Sequence, residues 1–432
     1  MYLRIFIILY YISFISCDNY VVLVAGSNFY SNYRHQADVF HHYQILIDRG
    51  FNPANIITFA YDDIVYDSKN PFKGKIYNSP NGKDVYKGVI IDYIEEDVTP
   101  ENFIACITGE ASSLNVTDPR STSKVLTSSE NDNVYIYFSG HGLDSSISFP
   151  NKFIYADEIN SALLIMHKKK MYKELVFYLD ACFSGSMFQD LLPNNISIYA
   201  VTAAEPGEIS FAEYCAKEPI VNGVNLGTCL ADEFSIRFME DIEFRAGDKL
   251  KEYTMQEQFD YLYEAVIGSH VQQYGDLNIA KKSIYEFIVE QKNKFLKILF
   301  KTIDFILPPI YYEKEDKYEI QINNQNFRLE MLRIKAEENN DLGDEDEYYE
   351  EIAQESRVKL IFDKFNEWFN LPKRNYKEKI NFDCYRKIVN YYEKYCGLFI
   401  DRDFKFMTHI ANFCTKGMDY KKAKIAFRQI CE

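Results

Sequence analysis

Five short apolar runs recur along the first half of the chain, and each stops at small or polar residues. They are "NYVVLVAGS" (Asn19–Ser27), "NIITFAYDD" (Asn55–Asp63), "NVYIYFSGHG" (Asn133–Gly142), "ELVFYLDAC" (Glu174–Cys182) and "ISIYAVTAA" (Ile196–Ala204). Runs this short, rich in β-branched and aromatic residues, read as strands buried on both faces. Helical periodicity lies between them. In "RHQADVFHHYQILIDRG", Ala37, Phe40, Tyr43, Leu46 and Ile47 share one face and Gly50 closes the helix. "ENFIACITG" reads as a helical turn leading to a loop, and "ADEINSALLIMHKKK" as an amphipathic helix. Strands alternating with helices predict an α/β fold with a mostly parallel sheet covered on both faces. Active sites in such sheets collect beyond the carboxyl ends of the strands. The positions to inspect are therefore Ser27 onward, Gly140-His141-Gly142, Asp180-Ala181-Cys182 and Thr202 onward.

The sheet pattern fades after about Ile242, and residues 249–305 read as helical and charged. "AEENNDLGDEDEYYEE" (Ala336–Glu351) is acidic and without clear periodicity, which reads as an exposed linker. From Ile352 the helical period returns, so the last part of the chain is expected to form a small all-helical domain. With 432 residues the chain is long enough for two or three domains. Residues 358–432 hold 16 Lys and Arg against 9 Asp and Glu, a balance of +7, which leaves −23 on the rest of a chain whose net charge is −16. Two such parts attract at neutral pH, and protonating carboxylates weakens the attraction. The acidic balance argues against a nucleic acid partner, because phosphate binding wants a basic surface.

At the N-terminus, "MYLRIFIILYYISFISC" has one Arg, an apolar run and then small residues. This is the pattern of a secretory signal peptide over residues 1–17, too short to be a spanning anchor. No later run is long enough to span, so no membrane segment is expected once the signal is removed. The secretory route permits disulfides. Of nine cysteines, Cys17 falls at the cleavage site, Cys215 and Cys229 flank one segment, and Cys384, Cys396, Cys414 and Cys431 cluster at the C-terminus. Spacing alone leaves the pairing of those four open. Cys106, in "NFIACITG", reads as a small buried hydrophobe. Cys182 is the odd thiol.

A reactive cysteine works as the thiolate and needs a nearby base or cation. His141 ends one buried strand between two glycines, and Cys182 ends the next. Each alone is more often structural. Together, on neighbouring parallel strands joined by a crossover helix, they read as a Cys–His dyad. The backbone N–H groups of Gly142 and Cys182 are placed to donate to an oxyanion.

"SGHG" followed by "DACFSGSMF" resembles the legumain family of asparaginyl endopeptidases, in the caspase-like clan of cysteine peptidases. "NYRHQADVFHHYQILIDRG", "NPFKGKIYNSPNGKDVYKGVIIDYIEEDVTPENF", "YAVTAAEPGE" and "FSIRFMED" resemble further segments of that family in the same order. The C-terminal cysteines resemble its prodomain. The resemblance implies a caspase-like fold with signal peptide 1–17, peptidase domain 18–290, linker or activation segment 291–351 and disulfide-bonded helical prodomain 352–432. It implies Cys182 as nucleophile, His141 as general base and acid, and Asn32 as the residue that orients the histidine. It assigns Arg34, His35, Asp180, Ser210 and Asp232 to a pocket for an asparagine side chain, whose amide needs both donors and acceptors. It implies the disulfides Cys215–Cys229, Cys384–Cys414 and Cys396–Cys431.

Made as a zymogen, the enzyme is expected to cut itself after Asn at acid pH. Asn339 and Asn340 are the first candidates, with Asn323, Asn324 and Asn326 second. The expected partners are proteins or peptides with Asn at the cleaved bond, the chain's own prodomain, and cystatin-type inhibitors. Cleavage after Asp is expected at acid pH. No metal or organic cofactor is implied. The location implied is the secretory pathway, ending in a lysosome or vacuole or outside the cell. The sequons at Asn115 and Asn195 are expected to carry glycans. Three departures bear on specificity: Asp180 stands where the family usually has Glu, Gly140 where Asp often precedes the histidine, and Phe183 where many members have Glu. The rival readings are a peptide ligase, a GPI-anchor transamidase subunit, and an inactive binding relative.

Overall fold

The computed structural model describes residues 18–216, 219–245, 248–289, 322–339 and 342–432. The expected signal peptide, Cys17, Asn340 and the segment 291–321 lie outside the described residues. All five predicted strands form: β1 (Asn19–Ala25), β2 (Ile56–Phe59), β3 (Asn133–Ser139), β7 (Glu174–Asp180) and β8 (Ile198–Thr202). Between β3 and β7 run three short strands, β4 (Gly142–Leu143), β5 (Ser146–Phe149) and β6 (Lys152–Tyr155). The main sheet has the order β13-β8-β7-β3-β1-β2, where β13 is Gln272–Gly275. Every pair in it is parallel except β13 with β8. The antiparallel edge was not expected, since "QQYG" is half-buried along its length and carries no apolar run.

Alternation along the strands sends side chains to two cores. Val21, Leu23, Tyr135, Tyr137, Val176 and Tyr178 face one side. Val22, Val24, Ile136, Phe138, Phe177 and Leu179 face the other. Helix α1 (Tyr33–Asp48) packs on the first face through Ala37, Phe40, Tyr43 and Leu46. Helices α2 (Pro100–Ile107) and α3 (Ala156–Lys168) cover the second. Gly50 lies just past the end of α1 with φ 78°, in the left-handed region that suits a helix-ending glycine. Cys106 is buried among the α2 residues, as expected.

Register decides how the site assembles. Ala25 pairs with Ser139, and Ser139 with Asp180, so three strands end level. His141 and Cys182 each lie two residues beyond those level ends. The strand order also reverses here, since β2 lies to one side of β1 and β3 to the other. That is the crevice position for a ligand in an open α/β sheet.

The chain continues through β9 (Phe211–Glu213), the hairpin β10 (Ile220–Val221) and β11 (Val224–Asn225), and β12 (Ala231–Asp232). Helices α4 (Glu233–Phe244), α5 (Asp248–Glu252), α6 (Met255–Ala265) and α7 (Tyr285–Ile288) follow. The short strand β14 (Ile322–Asn323) then pairs antiparallel with β9. Helices α8 (Phe327–Asn339) and α9 (Leu342–Phe369) come next. The stretch 336–351 reads in the sequence as an exposed linker; most of its described residues are exposed, but they are helical. Ion pairs Arg328–Glu351 and Lys335–Asp344 tie α8 to α9, so the acidic residues have cationic partners.

Helices α10 (Phe382–Cys396), α11 (Met407–Thr415) and α12 (Tyr420–Cys431) complete the C-terminal domain with α9. Its core gathers Phe362, Phe365, Tyr392, Met407, Phe413 and Phe427. Cys384–Cys414 joins α10 to α11, and Cys396–Cys431 joins α10 to α12. With sequence separations of 30 and 35, each bond contributes about 3–4 kcal/mol in the chain-entropy account. The same core includes Leu143 and Tyr155, so the helical domain is packed on the β4–β6 sheet just beyond His141. Arg386 holds both oxygens of Asp157, each at 2.9 Å. Arg374 pairs with the buried Asp144 at 2.8 Å. The expected attraction between the two parts is thus realised as specific pairs.

Candidate active site

The loop after β1 carries Asn32 at the entrance to α1, and the loop after β3 carries His141. Asn32 Nδ2 donates to Asn28 O at 3.0 Å and to Asp401 Oδ2 at 2.7 Å. Two acceptors therefore fix the amide, and its oxygen Oδ1 faces His141 Nε2 at 2.9 Å. A carbonyl oxygen can only accept, so Nε2 carries a hydrogen. Asn32 is 3% exposed and His141 6%.

Cys182 follows β7. Its Sγ accepts from Ser210 N at 3.3 Å. Burial pushes the thiol up to about 12, only partly offset by the Ser210 hydrogen bonds. The nucleophile candidate is thus a neutral thiol in the uncleaved chain. Gly142 lies directly against it: a Cβ there would sit 1.7 Å from the Cys182 carbonyl oxygen. No other residue type fits at 142 without moving the backbone.

The five candidate pocket residues come together, all buried. Arg34 Nε donates to Asp232 Oδ1 at 2.9 Å, and His35 Nε2 lies 3.3 Å from Asp232 Oδ2. His35 Nδ1 contacts Ser27 Oγ at 2.6 Å. Burial and the neighbouring Arg34 charge hold His35 well below the usual histidine range, so it is neutral. Residues 34, 35 and 38 read locally as an exposed polar helix start. Instead Asp38 lies behind the pocket, accepting from Asn78, Ser139 and the Asp232 N–H.

Asp38, Asp180 and Asp232 bring carboxylate oxygens within 4.8 Å of one another. Arg34 supplies the cation that such a group would otherwise seek in a metal. Burial and the Asp232 charge raise both Asp38 and Asp180 well above the usual carboxylate range. Asp180 stands one step back from its expected role. Its Oδ2 accepts from Ser235 N at 3.0 Å and from Ser235 Oγ at 2.6 Å.

Asn324 fills the pocket. Its Nδ2 donates to Asp232 Oδ1 at 2.8 Å and to Ser210 Oγ at 3.0 Å, and its N–H donates to Ser210 O at 3.2 Å. Strand β14 delivers it in the antiparallel register Ile322↔Ala212 and Asn323↔Phe211. Asn324 was only a second choice on sequence. The first choice, Asn339, ends helix α8, and Asn340 lies outside the described residues. Sequence reasoning missed Asp401, Ser235 and Asn78, ordinary polar residues with no local signal. The Cys215–Cys229 disulfide closes beside the same strand, packed with Ile322 and Phe327. Asn115 and Asn195 are exposed.

Known proteins fit this arrangement. Residues 19–294 match the model of the peptidase C13 family, and residues 358–431 match the legumain prodomain. The vacuolar-processing enzyme delta-isozyme of Arabidopsis thaliana is 34% identical over 95% of this chain and 90% of its own length. Legumain of Mus musculus is 32% identical over 96% of this chain and 92% of its own. The hemoglobinase of Schistosoma mansoni is 43% identical over 62% of this chain and 59% of its own. The molecule is a cysteine endopeptidase carrying a helical prodomain. The chain belongs to the peptidase C13 family, in its legumain branch. Among the described residues no helix is long and apolar enough to cross a membrane.

Proposed function

We propose that the chain is the zymogen of an asparaginyl endopeptidase that cleaves on the carboxyl side of Asn through Cys182 and His141. The observation that carries this reading is Asn324, whose side-chain amide donates to Asp232 and Ser210 beside the Cys182 thiol. His141 Nδ1 takes the thiol proton, and the sulfur attacks the carbonyl carbon of the Asn residue. The backbone N–H groups of Gly142 and Cys182 receive the oxyanion. The intermediate collapses to a thioester as the imidazolium returns its proton to the leaving amine. Water, deprotonated by His141, then hydrolyses the thioester.

Asparagine is selected because its amide NH2 meets acceptors on Asp232 and Ser210, which an apolar side chain would leave unpaired. The Arg34 Nη2, without a hydrogen-bond partner in the uncleaved chain, is the donor we assign to the amide oxygen of a bound substrate. Aspartate would enter once protonated, at acid pH. Asn324 replaces Asn339 and Asn340 as the self-processing site. The substrates are proteins or peptides, the C-terminal domain is the intramolecular inhibitor, and cystatin-type inhibitors are further partners. The place of action is the secretory route, in a vacuole, a lysosome or outside the cell, with glycans on Asn115 and Asn195. A ligase reading needs an amine to outcompete water at the thioester.

The test is a panel of matched peptides with Asn, Asp and Gln at the cleaved bond, given to the matured enzyme. Asn should be cleaved fastest, and Cys182→Ala should cleave none. Equal rates for Asn and Gln would refute the reading.

A further inference from the structure

We propose that Phe183 and Gly207 form a slot for an aromatic side chain of the substrate, two or three residues beyond the scissile bond. The inference rests on the reading of Asn324 as the residue presented for cleavage. Along the β14–β9 ladder, Ile322 faces Ala212 and Asn323 faces Phe211, and the Asn324 N–H donates to Ser210 O. In an antiparallel register the partners move in opposite directions. Just before these partners, residues 205–208 close a turn, with Glu208 N donating to Glu205 O at 3.1 Å, so Gly207 and Glu208 adjoin the residues that hold Asn324.

The chain's own segment leaves that ladder. Asn326 N donates to Asn323 O at 3.0 Å, which closes a turn. Phe327 then folds back, with its ring 4.8 Å from the Arg34 guanidinium carbon. Against Gly207 of the 205–208 turn lies Tyr376, a residue of the C-terminal domain. Its ring stacks on Phe183 with centroids 6.4 Å apart and planes 29° from parallel. A Cβ on Gly207 would lie 2.7 and 2.9 Å from Tyr376 ring carbons, so the ring needs a glycine there. Arg374 covers the ring's other surroundings, 4.9 Å from its centroid, and the Tyr376 hydroxyl lies 3.3 Å from Thr408 Oγ1.

Phe183 is itself held in an unusual conformation. Its φ is 53°, left-handed backbone that a bulky side chain rarely adopts, and its N–H donates to Glu208 O at 2.6 Å. The residue after the nucleophile is therefore locked to the turn that precedes β9. In the uncleaved chain Phe183 is 7% exposed. When the C-terminal domain leaves, Tyr376 leaves with it, and the slot opens to substrate. An aromatic ring in that place recovers the stacking that Tyr376 makes now.

The test uses the matured enzyme, freed of its C-terminal domain, and peptides of the form Ala-Ala-Asn-Ala-X-Z. Tyr, Phe, Gly or Asp is placed at X or at Z, and kcat/KM is measured by quantifying products. Tyr or Phe at one of these positions should be favoured over Gly by about tenfold. Gly207→Val, which fills the slot, and Phe183→Glu should each bring the Tyr-to-Gly ratio close to one. Because the ratio is taken within one enzyme, partial loss of folded protein does not alter it. Equal rates for Tyr and Gly at both positions in the unmodified enzyme, or a preference that survives both substitutions, would overturn the slot while Asn cleavage stands. If Gln peptides are cleaved as fast as Asn peptides, the underlying reading fails, and the slot with it.

Discussion

The carboxylate of Asp401, carried by the C-terminal domain, accepts from Asn32 Nδ2 at 2.7 Å and lies 3.4 Å from His141 Nε2. The prodomain thus places an anion on the pair that would run the chemistry. Burial alone would raise Asp401, but the charge and hydrogen bond of His141 and the hydrogen bond of Asn32 outweigh it and hold the carboxyl at about 2. A depressed carboxylate favours docking above its ordinary pKa, and that contribution fades as pH falls from about 4 toward 2. The side chain is 45% exposed, so solvent screens the pair and its worth is small. With Asn324→Gln added to slow self-cleavage, Asp401→Ala should speed alkylation of Cys182 by about two- to fivefold at pH 6. The difference should shrink below pH 4. No change at pH 6 would mean that Asp401 contributes nothing to latency.

Cys182 offers a second check. Burial raises its thiol to about 12, so near pH 7 it is almost wholly protonated in the uncleaved chain. Iodoacetamide should label Cys182 at least about 100-fold more slowly in the uncleaved chain than in the matured enzyme. Similar rates would place the thiolate already in the zymogen.

Asn32 fixes the imidazole by its oxygen. In the matured enzyme, Asn32→Ala should lower kcat by about 10²-fold with little change in KM, because it alters the orientation of the base and not the pocket. A rise in KM alone would assign Asn32 to substrate binding.

Asp232 accepts from both Arg34 and Asn324. Asp232→Asn should lower kcat/KM for Asn peptides by about 10²- to 10³-fold and leave the Arg34 cation without a paired charge. The melting temperature, measured alongside, separates lost recognition from lost fold. Undiminished Asn cleavage would remove Asp232 from the pocket.

The five apolar strands were legible because burial on both faces demands continuous apolar runs, and so were Cys182 and His141 at their ends. The equal overhang of those two residues was not legible, because it depends on the Ala25–Ser139–Asp180 register. Strand β13 was hidden because its residues are polar and half-buried. Arg34 and His35 entered only through resemblance, since polar residues at a helix start are usually exposed, and here the long-range Arg34–Asp232 ion pair and the contacts of a neutral His35 with Asp232 and Ser27 hold them inside. The acidic stretch 336–351 lacked periodicity because its helices are held by ion pairs such as Lys335–Asp344 more than by an apolar face. It also directed attention to Asn339 and Asn340, whereas the proposed processing site is Asn324. Asn339 ends a helix, whereas Asn324 follows an extended pair of residues already on β9.

The central claim is tested most directly by the mass of the self-cleaved chain. Purified protein would be brought from pH about 7.5 to about 4.5, with Cys182→Ala and Asn324→Gln beside it. The account predicts a cut between Asn324 and Gln325, absent in Cys182→Ala and lost or strongly slowed in Asn324→Gln. A cut after Asn339 or Asn340 that persists in Asn324→Gln would contradict it.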